Sequence, residues 1–481
     1  MKKPRISVLV LSALICSSVN AEVDYTKGVF IVNEDWYGHH NSTVNHLNPE
    51  ATDGAYWTYR AFQKENPGYE LGCTTQYAAI YGNRIYFISK QAKDPGSTVT
   101  GGRITVADAK TLSVLAQIEK IDDSGAMCDG RSFLGIDSKK GYVSSSNGIW
   151  IMDLETMSVL RCIPGTGNPN AGDNSLPSIN PGSALYHGQT GTMVLSADRV
   201  FAAHQSSGIL VIDPSDDSLE TTVSIPKVLM DSNLWQPTVE DLEDIEAGYA
   251  SLEECAPGVG AVITDRTGTV WASLSANING TGESFPVVLK INPYSLDVTP
   301  ISIPTDIQAP ASSWYAWTPD TFSSSPLLDE IYWRGGDRWF GGDIIWKYNY
   351  TSNTFGKLID TGEDGNNWHI YGCSMRPHPV SGEIYCSLYH DNQSTAYITR
   401  RYSSDGKIIA EYPMIENYWF PSLPFFPEQQ SGSVTVLPDS AEESDTQYFS
   451  IQGIHFGSEK PEKAGIYIEK RGQQFKKIII R

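Results

Sequence analysis

The chain has 481 residues, of which 19% are charged, and its formal net charge at pH 7 is −21. This acidic balance argues against nucleic acid as a partner, because the phosphates would be repelled. After the N-terminal region, no segment approaches the roughly 18 uninterrupted apolar residues that a membrane-spanning helix needs. The sequence therefore predicts no transmembrane helix.

The first 21 residues have the pattern of a signal peptide. A basic start is followed by an apolar stretch and by a small residue, Ala21, at a suitable cleavage position. Cys16 offers an alternative, attachment of a lipid, although Ile15 before it is larger than a lipobox usually has at that position. The pattern predicts an exported protein, either cleaved after Ala21 or lipidated at Cys16.

Six cysteines follow the predicted cleavage site, and none has the CxxC spacing of a zinc or redox site. Export permits disulfides, but the sequence leaves their pairing open. Cys373 and Cys386 lie in alternating strand patterns, where we expect small buried side chains. The other four are Cys73, Cys128, Cys162 and Cys255.

A short sequence motif recurs along the chain. It consists of a Gly or polar residue, a strand with alternating apolar residues, an Asp or Asn, and a turn. The copies are residues 102–108 (GRITVAD), 148–153 (GIWIMD) and 208–213 (GILVID), with weaker versions at 42–48, 287–292, 343–349 and 396–403. A second alternating strand precedes each copy, and usually a third precedes that. Intervals of roughly 45 to 80 residues favour four-stranded propeller blades over shorter repeats. The acidic residues 239–247 are the exception and predict a short surface helix.

The strand count also predicts how the ring closes. Residues 28–32 (GVFIV) read as the second strand of a blade that lacks its inner strand, and residues 420–426 (FPSLPFF) stand where a C-terminal strand would supply it. Such a joint removes exposed sheet edges and fixes both termini. The predicted fold is all-β: a seven-bladed β-propeller over residues 22–430, with six or eight blades as alternatives. A linker (431–447) and a short C-terminal β tail (448–481) follow.

The predicted fold indicates which face of the propeller binds a ligand. When the strands of a blade are labelled a to d from the centre outward, the b–c and d–a connections emerge on one side, here named the loop face. These connections include long segments rich in aromatic and polar residues, whereas the a–b and c–d turns are short. Binding residues collect on loops that a rigid scaffold positions. The candidate ligand-binding residues are Asn33, Glu34, Trp36, Tyr37, Gln76, Lys90, Arg131, His204, Gln205, Trp314, Trp317, Arg334, Trp339, Trp368 and His369.

These residues suit recognition better than catalysis, because tryptophan supplies a large contact area while few torsions are ordered. For any one of the tryptophans, packing between blades is the alternative role. No nucleophile elbow, HExxH motif or phosphate-binding glycine loop occurs, so no catalytic residue is assigned. His39, His40 and His46 alternate between faces and give no metal site. Calcium near Asn366 and Asn367 remains an alternative, although the regular calcium-loop motif is missing.

The opening residues 28–38 and 41–43 resemble the first blade of a surface-exposed propeller family that is widespread in Bacteroidota and mostly of unknown function. The resemblance covers about residues 28–430. It includes Gln76, Tyr77 and residues 130–133, 146–149 and 420–426. The chain is similar more distantly to YVTN-type and quinoprotein-like propellers.

The better understood relatives of this family are cell-surface cobalamin-binding lipoproteins that cap an outer-membrane corrinoid transporter. The resemblance implies that this chain binds a corrinoid or another scarce nutrient on its loop face and passes it to such a transporter. It also implies a place at the cell surface, in the outer membrane or in the medium of a Gram-negative bacterium. Individual corrinoid contacts do not map onto this sequence, and a fold alone does not fix a ligand.

The tail carries a second resemblance. Residues 465–468 (GIYI) and the basic, apolar terminus resemble the end of the C-terminal sorting domains of the Bacteroidota type IX secretion route. The tail is shorter than a complete sorting domain, so a purely structural strand pair is the alternative.

Three functions stay open at this point. A surface propeller that binds a small molecule or nutrient leads, and a platform for protein or glycan interaction is the second. A calcium-dependent lactonase or hydrolase is the third, and it would need carboxylates and amides around a cation in the central channel.

Overall fold

The computed structural model describes residues 23–480 except 53, 169–170, 172–187, 207, 276–283, 311–320, 336–341, 364, 429–445, 451–454, 458–460, 462–464 and 472–473. The predicted signal peptide lies outside the described residues. The same holds for most of the predicted linker, whose last two residues belong to a strand.

Residues 23–428 form a seven-bladed β-propeller of four-stranded antiparallel sheets, as the repeats predicted. The strands of the first three blades, except the inner strand of the first, are β1 (Val29–Asn33), β2 (Thr43–Leu47), β3 (Trp57–Thr58), β4 (Cys73–Tyr81), β5 (Arg84–Gln91), β6 (Ile104–Asp108), β7 (Val114–Ile118), β8 (Gly130–Gly135), β9 (Lys140–Ser145), β10 (Gly148–Asp153) and β11 (Ser158–Cys162). Those of the fourth and fifth blades are β12 (Thr190–Ser196), β13 (Arg199–His204), β14 (Gly208–Asp213), β15 (Ser218–Val223), β16 (Gly258–Thr264), β17 (Val270–Ser275), β18 (Ser284–Ile291) and β19 (Val298–Ser302). The remaining propeller strands are β20 (Ser323–Ser324), β21 (Glu330–Arg334), β22 (Ile344–Asn349), β23 (Thr354–Asp360), β24 (Trp368–Pro377), β25 (Ile384–His390), β26 (Gln393–Tyr402), β27 (Ile408–Pro413) and β28 (Pro421–Phe425).

The ring closes in the first blade, whose strand order is β28-β1-β2-β3. The C-terminal strand β28 pairs with the N-terminal strand β1 in antiparallel register, with Phe425 opposite Phe30. Their rings stack with centroids 4.9 Å apart. The predicted closure and blade count are therefore confirmed, and the six- and eight-bladed alternatives are wrong.

The cores lie largely between neighbouring blades, because strands stacked face to face bury their alternating apolar side chains. One such cluster joins Phe30 and Phe425 of the first blade to Phe87 of the second. Trp271 and Trp333 are fully buried, and the Trp333 indole donates to the Gln308 carbonyl at 2.8 Å. These two tryptophans serve packing.

In the described part of the chain, four short helices lie in d–a connections, and the sequence predicted only the third. They are α1 (Ala61–Glu65), α2 (Ile225–Asp231), α3 (Val239–Ala247) and α4 (Leu252–Cys255). A capping box in which Thr238 and Asp241 exchange hydrogen bonds begins α3, and Gly248 ends it in a left-handed conformation. No residue of α3 is buried.

The tail contains a four-stranded antiparallel sheet of its own with the order β30-β29-β31-β32. Its strands are β29 (Thr446–Ser450), β30 (His455–Gly457), β31 (Gly465–Arg471) and β32 (Gln474–Ile480). All six cysteines of the described chain are free, and Cys373 and Cys386 are buried as expected.

Candidate ligand-binding face

The inner strand of each blade begins on the loop face and the second strand ends there. This geometry collects most of the sequence-predicted candidates at one level of the ring. Lys90, His204 and Arg334 lie at or near the ends of second strands, whereas Gln76 and Arg131 lie near the starts of inner strands. Not all b–c connections are as long as the sequence predicted. In the third and seventh blades they consist only of residues 146–147 and 391–392.

The structure brings several candidates together in a polar arc. Gln76 of the second blade donates its amide to the Glu34 carboxylate of the first at 2.7 Å. The Tyr371 hydroxyl of the seventh blade also donates to Glu34, and the Lys90 ammonium faces the same carboxylate. Glu34 of the first blade therefore receives partners from two other blades, the second and the seventh.

Arg131 continues the arc toward the fourth blade. Its guanidinium donates through Nε and Nη2 to Gln189 Oε1, at 3.1 and 2.5 Å. Gln189 in turn donates to Gln205 Oε1 at 3.3 Å. On its other side, Arg131 forms an ion pair with Asp129 at 3.9 Å. We name the seven residues the polar arc: Glu34, Gln76, Lys90, Arg131, Gln189, Gln205 and Tyr371.

Burial sets the electrostatics of the polar arc. It raises the pKa of the Glu34 carboxyl, although the Lys90 charge and the hydrogen bonds from Gln76 and Tyr371 oppose the rise. Burial lowers the pKa of Lys90 to about 8, and the nearby Arg131 charge lowers it further while Glu34 opposes the change. Burial and the Glu34 charge raise the pKa of Tyr371 well above its usual value. Charges that are partly shielded from water interact more strongly with a ligand than charges in bulk solvent do.

Three other candidates have local structural partners. Asn33 is fully buried and donates to Thr43 Oγ1 at 3.1 Å. His204 is buried, its Nδ1 accepts from the Ser206 amide at 3.3 Å, and burial lowers its pKa to about 4. Arg334 is 1% exposed, and its charge acts on Cys373 and Cys386 of the seventh blade.

The aromatic candidates of the first blade stand at the surface. Trp36 is 40% exposed and Tyr37 is 59% exposed. The Trp36 ring lies 4.3 Å from the Tyr418 ring and 3.7 Å from the His39 ring, measured between centroids. These contacts leave part of the Trp36 indole available for a flat or amphipathic partner.

A buried carboxylate holds this aromatic loop in place. Asp94 Oδ2 accepts from the Gly38 amide at 2.8 Å, and the Asp94 amide donates to Asn41 Oδ1 at 2.7 Å. Gly38 has a φ of 85°, a conformation that side chains rarely adopt. The b–c connections of the first two blades are thus pinned to each other.

The remaining candidates do not join the polar arc. Trp368 and His369 are half-buried at the start of β24; Trp368 meets His390 edge-on, and His369 Nδ1 contacts the Asp343 carboxylate. Trp314, Trp317 and Trp339 lie outside the described residues.

Sequence reasoning missed Gln189, Tyr371 and Asp129. Gln189 directly precedes the inner strand of the fourth blade, and Tyr371 lies within the inner strand of the seventh. Aligning the first residues of the inner strands of all blades would have identified these positions as candidates. It would not have revealed their contacts with residues of other blades.

No group of three or more His, Cys, Asp or Glu side chains that could hold a metal ion occurs among the described residues. In the same part of the chain, no helix has the length and apolar character needed to cross a bilayer.

Comparison with known proteins identifies the family. The model of the family described as a domain of unknown function, DUF5074, matches residues 27–427, so the chain belongs to this family. That span contains the whole propeller with its closing strand. No curated protein matches.

The chain is also similar to solved structures. A quinoprotein alcohol dehydrogenase-like protein from Bacteroides thetaiotaomicron is 15% identical, with a TM-score of 0.51, and the match covers 84% of this chain and 79% of that one. The extracellular domain of a protein assigned to the hybrid two-component systems of B. thetaiotaomicron is 11% identical, with a TM-score of 0.44 over 95% of this chain and 57% of that one. Because its sequence identity is low, the first of these structures shows a shared fold alone.

Proposed function

We propose that this protein is an exported propeller that captures a small ligand on its loop face at the cell surface. The observation that carries the proposal is the polar arc, in which charged, amide and hydroxyl groups from five blades meet at one level of the ring, most of them buried and Glu34 and Lys90 half-buried. Burying such groups is costly unless they are paired, and a stability role alone would be served as well by apolar side chains. Exposed Trp36 beside the arc adds a stacking surface.

A corrinoid is the first ligand to test, and an outer-membrane transporter is the partner that would receive it. A corrinoid presents a broad planar face together with peripheral amides. Trp36 would contact the face, and the glutamine and charged groups of the polar arc would bind the amides. The predicted signal peptide at residues 1–21 and the resemblance of the tail to a sorting domain support a proposal of capture outside the cell. We propose no cofactor, with calcium as the alternative to be tested alongside.

The test is calorimetric titration of residues 22–481 with cyanocobalamin, together with a thermal-shift panel of corrinoids, haem and calcium. We expect saturable binding that weakens at least about tenfold in Trp36→Ala, because a central aromatic contact typically contributes that much. Tyr249→Ala is the matched control, since Tyr249 is an 84% exposed aromatic in a different connection.

The outcomes separate the ligand from the site. Absence of binding by every member of the panel would refute small-ligand capture of these classes. Binding that Trp36→Ala and Tyr249→Ala leave equally intact would place the ligand elsewhere on the molecule.

A further inference from the structure

The longest d–a connection of the propeller concentrates negative charge. It joins the fourth and fifth blades through residues 224–257 and contains α2, α3 and α4. We name these residues the acidic insertion, because they include eight Asp or Glu residues and one Lys, which gives a charge of −7 out of the −21 of the chain. Insertions on one face of a repeat scaffold are common places for binding surfaces.

The base of the acidic insertion is anchored to the propeller. Ile225 and Leu229 of α2 are buried and belong to the apolar core between the fourth and fifth blades. Lys227, the one cation of the insertion, forms an ion pair with Asp231 at 2.5 Å. The insertion is therefore held in place at its base, and its single positive charge is already paired.

The helix α3 lies outside that core. None of its nine residues is buried, although Thr238 caps its start and Gly248 ends it. In proteins, most of the stability of a short helix comes from the packing of one of its faces. A capped helix that buries no residue therefore presents a preformed face on which a partner can pack.

Three apolar residues line one side of α3. Val239, Leu242 and Ile245 recur every three positions, and residues three apart lie on the same side of a helix. Val239 is 75% exposed, Leu242 is 52% exposed and Ile245 is half-buried. Single exposed apolar residues are ordinary, but an adjacent group of them is typical of an interaction surface.

Carboxylates accompany this apolar stripe. Glu243, Asp244 and Glu246 are exposed, and no ion pair or side-chain hydrogen bond reaches their carboxylates within the described residues. Like charges on one short helix repel each other, and a cationic partner relieves this repulsion. A surface that is both acidic and apolar complements a partner that combines basic and apolar side chains.

We propose that the acidic insertion docks a basic amphipathic segment of another protein. The apolar side chains of the segment pack on Val239 and Leu242, and its lysines or arginines pair with the carboxylates of α3. Because d–a connections emerge on the loop face, the docked protein lies on the same side of the ring as the polar arc. The docking site does not depend on the ligand proposed for that face.

The test uses a fluorescent probe peptide of about 14 residues, with leucine at the helical spacing i, i+3, i+4 and i+7 and lysine elsewhere. Its counterparts are a scrambled peptide of the same composition without an apolar face and a peptide with glutamate in place of lysine. Anisotropy titrations with residues 22–481 should show saturable binding of the lysine peptide. We expect the scrambled peptide to bind at least about tenfold more weakly and the glutamate peptide not to bind.

Two triple variants separate a local site from the general attraction of an acidic protein. The first neutralises three exposed carboxylates of α3, and the second neutralises three exposed carboxylates in other d–a connections, so both change the net charge equally. The first should weaken binding of the lysine peptide about tenfold or more, and the second less than about threefold. The variants are Glu243→Gln/Asp244→Asn/Glu246→Gln and Glu119→Gln/Asp123→Asn/Asp306→Asn.

A further pair of variants tests the apolar stripe. Leu242→Gln keeps a good helix former at an exposed position and should weaken binding of the lysine peptide about fivefold. Leu160→Gln, at a 59% exposed position of β11, is the matched control and should leave binding unchanged. The proposal is overturned if the lysine peptide does not bind, if the scrambled peptide binds equally well, or if the α3 variants bind like their controls.

Discussion

Gln76 donates its side-chain amide to Glu34 at 2.7 Å and so connects the inner strand of the second blade to the loop-face end of the first. Both side chains leave the apolar inter-blade core and enter the polar arc. With Tyr371 and Lys90 around the same carboxylate, this bond makes the loop face a cooperative unit whose parts come from separate blades.

Removal of Arg131 should destabilise the propeller strongly. We expect Arg131→Met to lower the free energy of unfolding by about 2 to 3 kcal/mol, because the buried Gln189 Oε1 loses two donated hydrogen bonds and Asp129 loses one of its two ion pairs, the other being with Arg103. The matched control is Arg161→Met, since Arg161 is half exposed in its ion pair with Asp217 and should cost about 1 kcal/mol or less. Urea unfolding followed by tryptophan fluorescence measures both, and equal losses would contradict a structural role for the arc.

Loss of the closing strand should open the ring. A chain that ends at residue 417 lacks β28, which leaves β1 as an unpaired edge and exposes the Phe30 side of the core. We expect this chain to aggregate or to lose its cooperative thermal transition. A chain that ends at residue 428 keeps β28 and should retain the transition, and calorimetric scans compare the two. A cooperative transition in the shorter chain would show that closure by β28 is dispensable.

The buried His204 should make stability fall in mild acid. Burial lowers its folded-state pKa to about 4, whereas the unfolded chain takes up the proton near pH 6.5. The unfolded state therefore binds more protons between these values, and stability decreases as the pH is lowered through this window, by up to about 3 kcal/mol. His204→Gln should reduce the slope, whereas His39→Gln, at an exposed position, should keep it. Unfolding curves at half-unit pH steps give the comparison, and identical slopes in wild type and His204→Gln would disprove it.

Asp35 should act in the opposite direction. Burial raises its folded-state pKa to about 8, although the bond from Thr43 Oγ1 at 2.7 Å opposes the rise. Because the folded state holds this proton between pH 3.8 and 8, ionisation makes stability fall as the pH rises through that window, by at most about 1.4 kcal/mol per unit.

Asp35→Asn removes this ionisation. Its stability relative to the wild type should therefore increase from pH 4 to 8 and level off above 8. Asp306→Asn, at an exposed position, is the control and should show no such trend. A constant difference between Asp35→Asn and wild type across the range would mean that Asp35 is ionised in the fold.

Much of the architecture could be predicted from local patterns. The alternating sequence motif that ends in Asp108, Asp153 and Asp213 marks the third strand of a blade, because the side chains of a strand point to opposite faces with a period of two. The inner strand missing before Val29 required a strand from the C-terminus, and residues 421–425 had the pattern for it. The same reasoning placed Gln76, Lys90 and Arg131 on one face.

Only the tertiary structure decided which of these residues meet and which face solvent. The contacts of Glu34 with Gln76 and Tyr371 cross between blades, and side-chain distances between blades depend on ring closure and on the packing of every sheet. The same holds for tryptophans of similar sequence context: Trp36 is 40% exposed, whereas Trp419 is 2% exposed with its indole bonded to the Ile415 carbonyl. The sequence by itself determined the blades and their closure through short-range periodicity. The polar arc exists only because separate blades bring distant residues together.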